Sequence, residues 1–214
     1  MINTQDQEQL FRLIADYLEK DISCIAIGGT AMMFAGYKTA TKDIDLVFSK
    51  EADRKAFVKA IEQLGYKQHA LMHIYDEQRK QHPAKPQMYT RGDERFDLFV
   101  NTVFGYKLSW NQEVMTERHD FIGRKELVVY VVSKEELILL KAITGRERDY
   151  EDITDIVKIE KDIMWDMIID KAINQARANP WLLVDLESAF QKLKNIAFIP
   201  QKHFERIYKA QKRA

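Results

Sequence analysis

Two aspartates, Asp43 and Asp45, occupy alternate positions in an apolar segment that ends at Phe48. Because side chains alternate along a β-strand, the two carboxylates share one face of the predicted strand, and Ile44 and Leu46 turn to the other. Two carboxylates this close repel each other, and a divalent cation between them makes the arrangement favourable. The pair therefore indicates a cation site, with an exposed acidic strand edge as the simpler alternative.

A glycine turn precedes these aspartates. Gly28 and Gly29 end an apolar strand predicted at residues 24–27, and they permit backbone conformations and close approaches that a Cβ would block. Thr30 is predicted to cap a short helix that follows, through its hydroxyl. Because the free N–H groups at a helix start attract anions, the turn could hold a phosphate. A phosphate site and a cation site together indicate a nucleoside triphosphate, whereas a ligand-free tight turn is the alternative.

Two further charged residues could join this site. Lys42 directly precedes the first aspartate, where its ammonium group could reach a phosphate or could simply be solvated at the start of a strand. Asp97 lies in a second alternating segment, residues 95–100, on the face opposite Phe96 and Leu98. An isolated aspartate in such a strand would ordinarily be an exposed edge residue.

A second group of charged residues follows in the C-terminal half. Lys141 interrupts an apolar helix predicted at residues 135–144, and Arg148, Asp149 and Asp152 lie at the start of the next helix. The two aspartates are three residues apart, so they can share one helix face near the N-terminus, where negative charge is stabilised. Taken alone, these residues fit a capped helix with a salt bridge.

The order of these groups resembles a known signature. A Gly-Gly-Thr turn at residues 28–30 followed by Asp-Ile-Asp at residues 43–45 looks like the signature of the DNA polymerase beta-type nucleotidyltransferase superfamily. Lys141 with the Arg-Asp-x-x-Asp run at residues 148–152 is similar to a segment of its AbiEii/MenT-like toxin branch and of related uncharacterised nucleotidyltransferases. The resemblance extends over residues 10–159.

The resemblance implies roles for individual residues. Asp43, Asp45 and Asp97 would hold two Mg²⁺ ions, and Asp97 would also position or deprotonate the acceptor hydroxyl. Lys141 would contact the triphosphate or the transferring phosphate, so Lys141→Ala is expected to slow transfer with little loss of stability. The residues expected around the nucleotide are Gly28, Gly29, Thr30, Lys42, Arg148, Asp149 and Asp152.

The reaction implied by the resemblance is transfer of a nucleoside monophosphate (NMP) from an NTP to a hydroxyl, with release of pyrophosphate. The toxin-like relatives imply an RNA acceptor, such as the 3′ end of tRNA, and a cognate antitoxin. A small-molecule acceptor such as an antibiotic, or a protein hydroxyl, is a second enzymatic alternative. A catalytically idle nucleotide-binding or antitoxin-like partner protein on the same fold is a third alternative.

Charge composition limits how a polynucleotide could be held. Lys plus Arg and Asp plus Glu number 33 each, so the net charge is zero and only local clusters can bind phosphates. The richest cluster is the tail from residue 192 to 213, in which Glu205 is the single acidic residue, and the second is the segment of residues 80–85. A solvated helix surface is the alternative for the tail.

The predicted fold is α/β (α+β). Residues 1–133 are expected to form a mixed nucleotidyltransferase sheet with flanking helices, and residues 134–214 a helical region that packs on this core. The single cysteine, Cys24, predicts a reducing, cytoplasmic setting. The N-terminal segment lacks the pattern of a signal peptide, and no apolar run reaches membrane-spanning length.

Individual elements of the C-terminal half can also be predicted. Residues 101–124 are expected to form a helical or irregular crossover before a strand at residues 127–132. Ser133 and Glu136 have the spacing of a capping box, and Gly145 marks the end of the helix that they open. Three further helices are predicted at residues 163–177, 180–195 and 200–213, with prolines at two of their boundaries.

Overall fold

The structure, a computed structural model, describes residues 1–69 and 85–213. The chain divides into two compact units, Met1–Val103 with Leu108–Val132, and Phe104–Lys107 with Ser133–Ala214. Of the two predicted basic clusters, the tail is described, whereas residues 80–84 of the second lie outside the described residues.

The described strands are numbered in chain order. They are β1 (Ile2–Asn3), β2 (Ile22–Ala26), β3 (Ala40–Thr41), β4 (Asp43–Phe48), β5 (Lys67–His69), β6 (Gln87–Arg91), β7 (Glu94–Val100), β8 (Thr102–Val103), β9 (Tyr106–Lys107), β10 (Met115–Ile122) and β11 (Glu126–Val132). The helices of the first unit are α1 (Thr4–Tyr17), α2 (Gly28–Phe34) and α3 (Glu51–Gln63). Those of the second unit are α4 (Lys134–Thr144), α5 (Glu147–Ile159), α6 (Trp165–Gln175), α7 (Trp181–Leu193) and α8 (Gln201–Gln211).

The first unit is built on a mixed sheet in the order β10–β11–β2–β4–β7–β6–β5. The pairs β11–β2 and β4–β7 are parallel, and the other neighbours on this path are antiparallel. Strands and helices thus combine as the predicted α/β (α+β) class requires. The two strands that carry the predicted acidic residues, β4 and β7, are direct parallel neighbours.

One face of this sheet forms the hydrophobic core. Ile44 and Leu46 of β4 and Phe96 and Leu98 of β7 are fully buried there. They share the core with side chains of the two helices that cover this face, α1 (Phe11, Ile14) and α3 (Phe57, Ile61). Each such side chain contributes about 1.5–3 kcal/mol when it leaves water, so this face fixes which way every alternate residue points.

Strand β10 corrects one sequence prediction. Residues 101–124 were expected to form a helical or irregular crossover, but Met115–Ile122 forms a strand antiparallel to β11. Its side chains from Thr116 to Arg118 are exposed, because β10 lies at the edge of the sheet path. An edge strand can carry charged residues on both faces, which removes the apolar alternation by which a strand is recognised.

The second unit begins as the capping signals predict. Ser133 Oγ accepts a hydrogen bond from the backbone N–H of Glu136 at 3.3 Å, and Gly145 ends α4 in the left-handed conformation. The Glu136 carboxylate does not complete the capping box, because it accepts hydrogen bonds from Tyr106 Oη at 2.6 Å and Lys171 Nζ at 2.8 Å. This buried carboxylate therefore joins the start of α4 to α6 and β9.

The three predicted C-terminal helices are present as α6, α7 and α8. Pro180 and Pro200 occupy the positions just before α7 and α8, where a missing N–H is tolerated. Ile168, Leu186 and Ile207 contribute fully buried side chains to the interior of this unit. Among the helices of residues 1–69 and 85–213, none is long and apolar enough to cross a membrane.

Candidate active site

The glycine turn is bonded directly to the acidic strand β4. Ile27 N donates to Asp45 O at 3.1 Å, and Asp45 N donates to the hydroxyl oxygen of the buried Thr30 at 2.9 Å. The predicted helix-capping role of Thr30 is wrong, because α2 begins at Gly28 and its N-cap is Ile27, without a side-chain cap. The Thr30 hydroxyl instead satisfies a backbone N–H of the strand that carries the carboxylates.

The two glycines allow an approach that a side chain would prevent. Gly28 has a φ of +55°, and a Cβ placed on it would lie 2.3 Å from Asp45 Oδ2. A Cβ on Gly29 would lie 2.3 Å from Thr41 Oγ1. The backbone of the turn therefore lies directly against the Asp45 carboxylate, and the two motifs that the sequence links are in contact.

We expect Gly28→Ala to destabilise the fold and to displace the Asp45 carboxylate. The left-handed backbone costs about 1–3 kcal/mol for a residue with a Cβ, and the clash at 2.3 Å adds to this strain. Gly92 is the matched control, because its φ is +56° and no atom of the described part of the chain lies within 4 Å of a Cβ placed there.

Chemical denaturation and NTP turnover of both variants check this prediction. Gly92→Ala should lose only the stability that the backbone strain costs, and it should keep its turnover. Gly28→Ala should lose more stability and should also lose turnover. Equal behaviour of the two variants would show that the close approach at Gly28 has no importance.

Parallel pairing of β4 and β7 brings three carboxylates to one sheet face. In register, Asp45 lies opposite Asp97, and Asp43 lies opposite Arg95. The predicted face of Asp97 is confirmed, because its neighbours Phe96 and Leu98 point into the core. All three predicted acidic residues therefore project from neighbouring positions on one side of the sheet.

Arg95 is a member of this group that sequence reasoning missed. Its Nη2 lies 2.5 Å from Asp43 Oδ2, and its Nε lies 3.2 Å from Asp97 Oδ1. One guanidinium thus contacts two of the three carboxylates, so the four side chains together carry excess negative charge. The available signal was its position two residues before Asp97, because residues i and i+2 of a strand share a face.

The residue types of this face fit Mg²⁺, but their present positions do not. Carboxylate oxygens are the ligands that this hard cation prefers. Among the described residues, however, no three His, Cys, Asp or Glu side chains are grouped to hold a metal ion. Arg95 lies between Asp43 and Asp97 and contacts both. Cation binding at this face would therefore require the guanidinium to withdraw.

Lys42 occupies the chain position directly before β4. Its side chain is exposed, and it forms no ion pair with another residue in the described ranges. Its ammonium group is therefore available to solvent or to a ligand.

In the second unit, Lys141 lies in a buried ion cluster. Its Nζ lies 2.5 Å from Asp152 Oδ2 and 3.6 Å from Asp149 Oδ1. The side chains of Lys141, Asp149 and Asp152 are 5%, 4% and 7% exposed. The predicted shared face of the two aspartates is thus the buried face of α5, turned toward α4.

Arg146 and Thr144 complete the environment of Asp149. Arg146 Nε donates to Asp149 Oδ2 at 2.7 Å, and Thr144 Oγ1 donates to the same oxygen at 2.6 Å. Burial acts to raise the pKa of Asp149, but the Arg146 hydrogen bond and the Lys141 charge outweigh it, so the pKa lies below its ordinary value. Asp149 is therefore held as a carboxylate.

Arg148 does not join this cluster. Its side chain is exposed and makes no ion pair within the part of the chain that the structure describes. Neighbouring residues of a helix point in different directions, whereas residues three apart face each other, so Arg146 is the arginine that reaches Asp149. Helical spacing was the signal that could have identified Arg146.

Residues 7–197 match the family model described as nucleotidyltransferase of unknown function (DUF6036). No curated protein sequence matches the chain. Two solved structures are similar to it in fold. The antibiotic-resistance factor ANT(2'')-Ia shares 18% identity at a TM-score of 0.47, with 90% of this chain and 96% of that chain covered. JHP933 from Helicobacter pylori shares 15% identity at a TM-score of 0.45, with 99% and 92% covered.

The family match supports the broader of the two family predictions made from the sequence. It confirms the predicted nucleotidyltransferase, and with it an enzyme that uses an NTP. It does not extend to the narrower AbiEii/MenT-like branch. Because the matched residues make up most of the chain, this protein belongs to the DUF6036 family of nucleotidyltransferases.

Proposed function

We propose that this nucleotidyltransferase moves an NMP from an NTP to a hydroxyl in a Mg²⁺-dependent reaction on the acidic face of β4 and β7. The observation that carries the proposal is the grouping of Asp43, Asp45 and Asp97 on one face, with Asp45 against the backbone of Gly28. Three carboxylates at neighbouring positions of β4 and β7 repel one another, and the Arg95 guanidinium supplies one positive charge against these three negative charges, so a bound cation would stabilise the group.

Each of these residues has a proposed role. Asp43, Asp45 and Asp97 would hold Mg²⁺, two ions in the expected case, and Asp97 would also orient or accept the proton of the acceptor hydroxyl. When bound, Mg²⁺ supplies charge stabilisation to the phosphates and activation of the attacking oxygen. The N–H groups of Gly28 and Gly29 would contact the triphosphate.

Thr30 and Lys42 differ in what they offer the nucleotide. The Thr30 hydroxyl accepts the Asp45 N–H, so we assign Thr30 as a positioning residue for that carboxylate. Lys42 is exposed beside Asp43 and can approach a phosphate without breaking an ion pair. Arg95 would act as a counterion of Asp43 and Asp97 until the cation binds.

For the residues of α4 and α5, a role at the nucleotide stays a prediction. Lys141 could contact a phosphate only by leaving Asp152 and Asp149, which would then be buried without their cation. The exposed Arg148 has no such restriction. The cluster of Lys141, Asp149 and Asp152 supports a stabilising role for these three side chains.

As acceptor we propose RNA, such as the 3′ end of tRNA, in a toxin that a cognate antitoxin neutralises. The support is the similarity of Lys141 and the run at residues 148–152 to toxin-like nucleotidyltransferases. On this proposal the enzyme acts inside the cell, where RNA and NTPs are both available.

A labelling experiment tests both the Mg²⁺-dependent NMP transfer and the RNA acceptor. The purified protein is incubated with each α-labelled NTP, Mg²⁺ and either total RNA or a set of small hydroxylated acceptors that includes antibiotics, and pyrophosphate release is measured in parallel. We expect label on RNA with at least one NTP, and no pyrophosphate release when EDTA removes Mg²⁺.

Other outcomes of this experiment would favour a different acceptor or a catalytically idle protein. Label on a small molecule or on a protein, with none on RNA, would contradict the RNA acceptor but preserve NMP transfer. NTP binding that depends on Mg²⁺, without pyrophosphate release under any condition, would identify a catalytically idle protein.

A further inference from the structure

Helices α6 and α8 of the second unit enclose a pocket of about 310 Å³, here called the α6–α8 pocket. Four of its lining residues are basic, namely Arg177, Arg206, Lys209 and Arg213, and the others are apolar. Within residues 1–69 and 85–213, no acidic side chain belongs to the lining. A concave site of this size is at the lower end of the range of small-ligand pockets.

The helices run side by side in the same direction. Asp166 near the start of α6 contacts Lys202 and Arg206 of α8, and Asp170 contacts Arg206 one turn later. The pocket lies beyond these ion pairs, toward the C-terminal ends of both helices. Arg206 is thus fixed by two carboxylates and forms one wall of the pocket.

The other three basic residues are free of such partners. Arg177, Lys209 and Arg213 are exposed, and none forms an ion pair with another residue that the structure describes. The basic tail singled out in the sequence therefore divides, since Lys202 and Arg206 face Asp166 and Lys212 lies over the Tyr208 ring. Arg177 is outside that tail and reaches the pocket only through the packing of α6 on α8.

Helix dipoles account for part of this charge but not for all of it. The C-terminal end of a helix carries roughly half a negative charge, which attracts cations. Two such ends offset about one positive charge, whereas three cations without carboxylate partners surround the pocket. The remaining excess of positive charge favours an anionic ligand.

The apolar part of the lining narrows the class of anion. Ile173, Ala176 and Ala210 form a surface that a simple inorganic anion would not need. A nucleotide presents phosphate oxygens to cations and flat base and ribose surfaces to apolar groups, and guanidinium planes can stack on the base. A nucleotide unit therefore matches both halves of the lining.

We propose that the α6–α8 pocket binds a nucleotide of a single-stranded polynucleotide, with Arg177, Lys209 and Arg213 on its phosphates and the apolar surface against its base or ribose. The proposal deepens the proposed function, because it identifies a binding site for an RNA acceptor and rests on that function for the role of the RNA. It locates the phosphate contacts on three residues rather than along the whole basic tail.

The test is a charge reversal at the pocket. The variant Arg177→Glu/Lys209→Glu is compared with the parent protein for binding a fluorescent single-stranded RNA of about 20 nucleotides, enough to fill a site of 4–16 nucleotides, over a range of salt concentrations. We expect affinity at low salt to fall about tenfold or more, and the slope of log K against log salt to fall by about 1.4 for two lost contacts.

A matched control has the same change of charge outside the pocket. Lys158 and Lys161 are exposed residues of the same unit without ion pairs to other described residues, so Lys158→Glu/Lys161→Glu should bind RNA like the parent. Thermal unfolding of each variant verifies that it is folded. Arg213→Gln, at the C-terminal end of the pocket, is a milder second variant and should lower the slope by about 0.7.

The remaining outcomes overturn the proposal. Parent-like RNA binding by the pocket variant, or an equal loss in pocket and control variants, would exclude this pocket as the site. RNA binding absent from the parent, or loss of free ATP binding in place of RNA binding, would exclude a polynucleotide ligand. The proposed function is judged separately, by pyrophosphate release from the parent protein.

Discussion

Replacing Asp45 or Asp97 with asparagine is expected to reduce Mg²⁺-dependent NTP turnover about a thousandfold or more. A bound cation contributes several kcal/mol of transition-state stabilisation, and each 1.36 kcal/mol corresponds to about tenfold in rate. Asparagine keeps the size of the side chain and removes the charge that the cation requires. Pyrophosphate release at saturating NTP and Mg²⁺ measures the effect.

Asp43→Asn should have the same effect on turnover, with an additional consequence for Arg95. Among the described residues, the guanidinium would keep Asp97 as its one acidic ion-pair partner, so the parent-like position of Arg95 should become less stable. Both effects originate in one face of β4 and β7, and the loss of turnover should therefore not require loss of the fold.

Asp93→Asn is the matched control for these variants. Asp93 lies exposed in the turn before β7, outside the acidic face, and its replacement should leave turnover unchanged. As a second readout, Mg²⁺ should raise the unfolding temperature of the parent and of Asp93→Asn, because a ligand that binds only the native state stabilises it. If Asp45→Asn retained parent turnover and the Mg²⁺ effect, the assignment of this carboxylate as a ligand would be wrong.

Lys141→Met is expected to destabilise the second unit by about 3–5 kcal/mol, the range for removal of one partner of a buried ion pair. The sequence had predicted little loss of stability from Lys141→Ala. That expectation is superseded because the ammonium lies 2.5 Å from Asp152 and is almost completely buried. Removal of the Lys141 ammonium leaves the buried Asp152 carboxylate without this ion-pair partner. Denaturant unfolding measures the loss.

Two comparisons identify the unpaired charge as the cause. Adding Asp152→Asn to Lys141→Met should restore much of the stability, because the buried pair is then replaced by uncharged groups. In the single variant, the destabilisation should also shrink as the pH falls, because Lys141 helps to lower the pKa of Asp149 in the parent and this contribution is lost once Asp149 is protonated. If the double variant were less stable than the single one, lost packing rather than lost charge would be the explanation.

The parent protein should show the opposite pH dependence through Asp149. Its pKa in the folded state lies below the ordinary value, so its contribution to stability is present above the unfolded pKa of about 4 and is lost as the pH falls through the folded pKa. An acid-induced loss of stability in the parent, weaker in an Asp149→Asn variant, would agree with this direction. The measurement is the unfolding free energy of both proteins between neutral and acidic pH.

The sequence by itself determined the elements whose signals are local. Alternation placed Asp43 and Asp45 on one face of β4 and Asp97 on the face of β7 opposite Phe96 and Leu98, because one face of each strand must enter the core. Ser133 and Gly145 marked the ends of α4, because a helix end needs a partner for its free backbone groups. These signals lie within a few residues of the structure that they specify.

Only the tertiary structure decided which of these elements meet. The parallel register of β4 and β7 placed Arg95 between two carboxylates, and the packing of α4 on α5 buried Lys141 against Asp152. The α6–α8 pocket likewise joins Arg177 to Lys209, which are distant in the chain. The edge strand β10 lost its local signal because most of its side chains, including those of residues 116–118, are exposed. Periodicity records which face of an element is buried, whereas the partner at that face is chosen by packing between segments far apart in sequence.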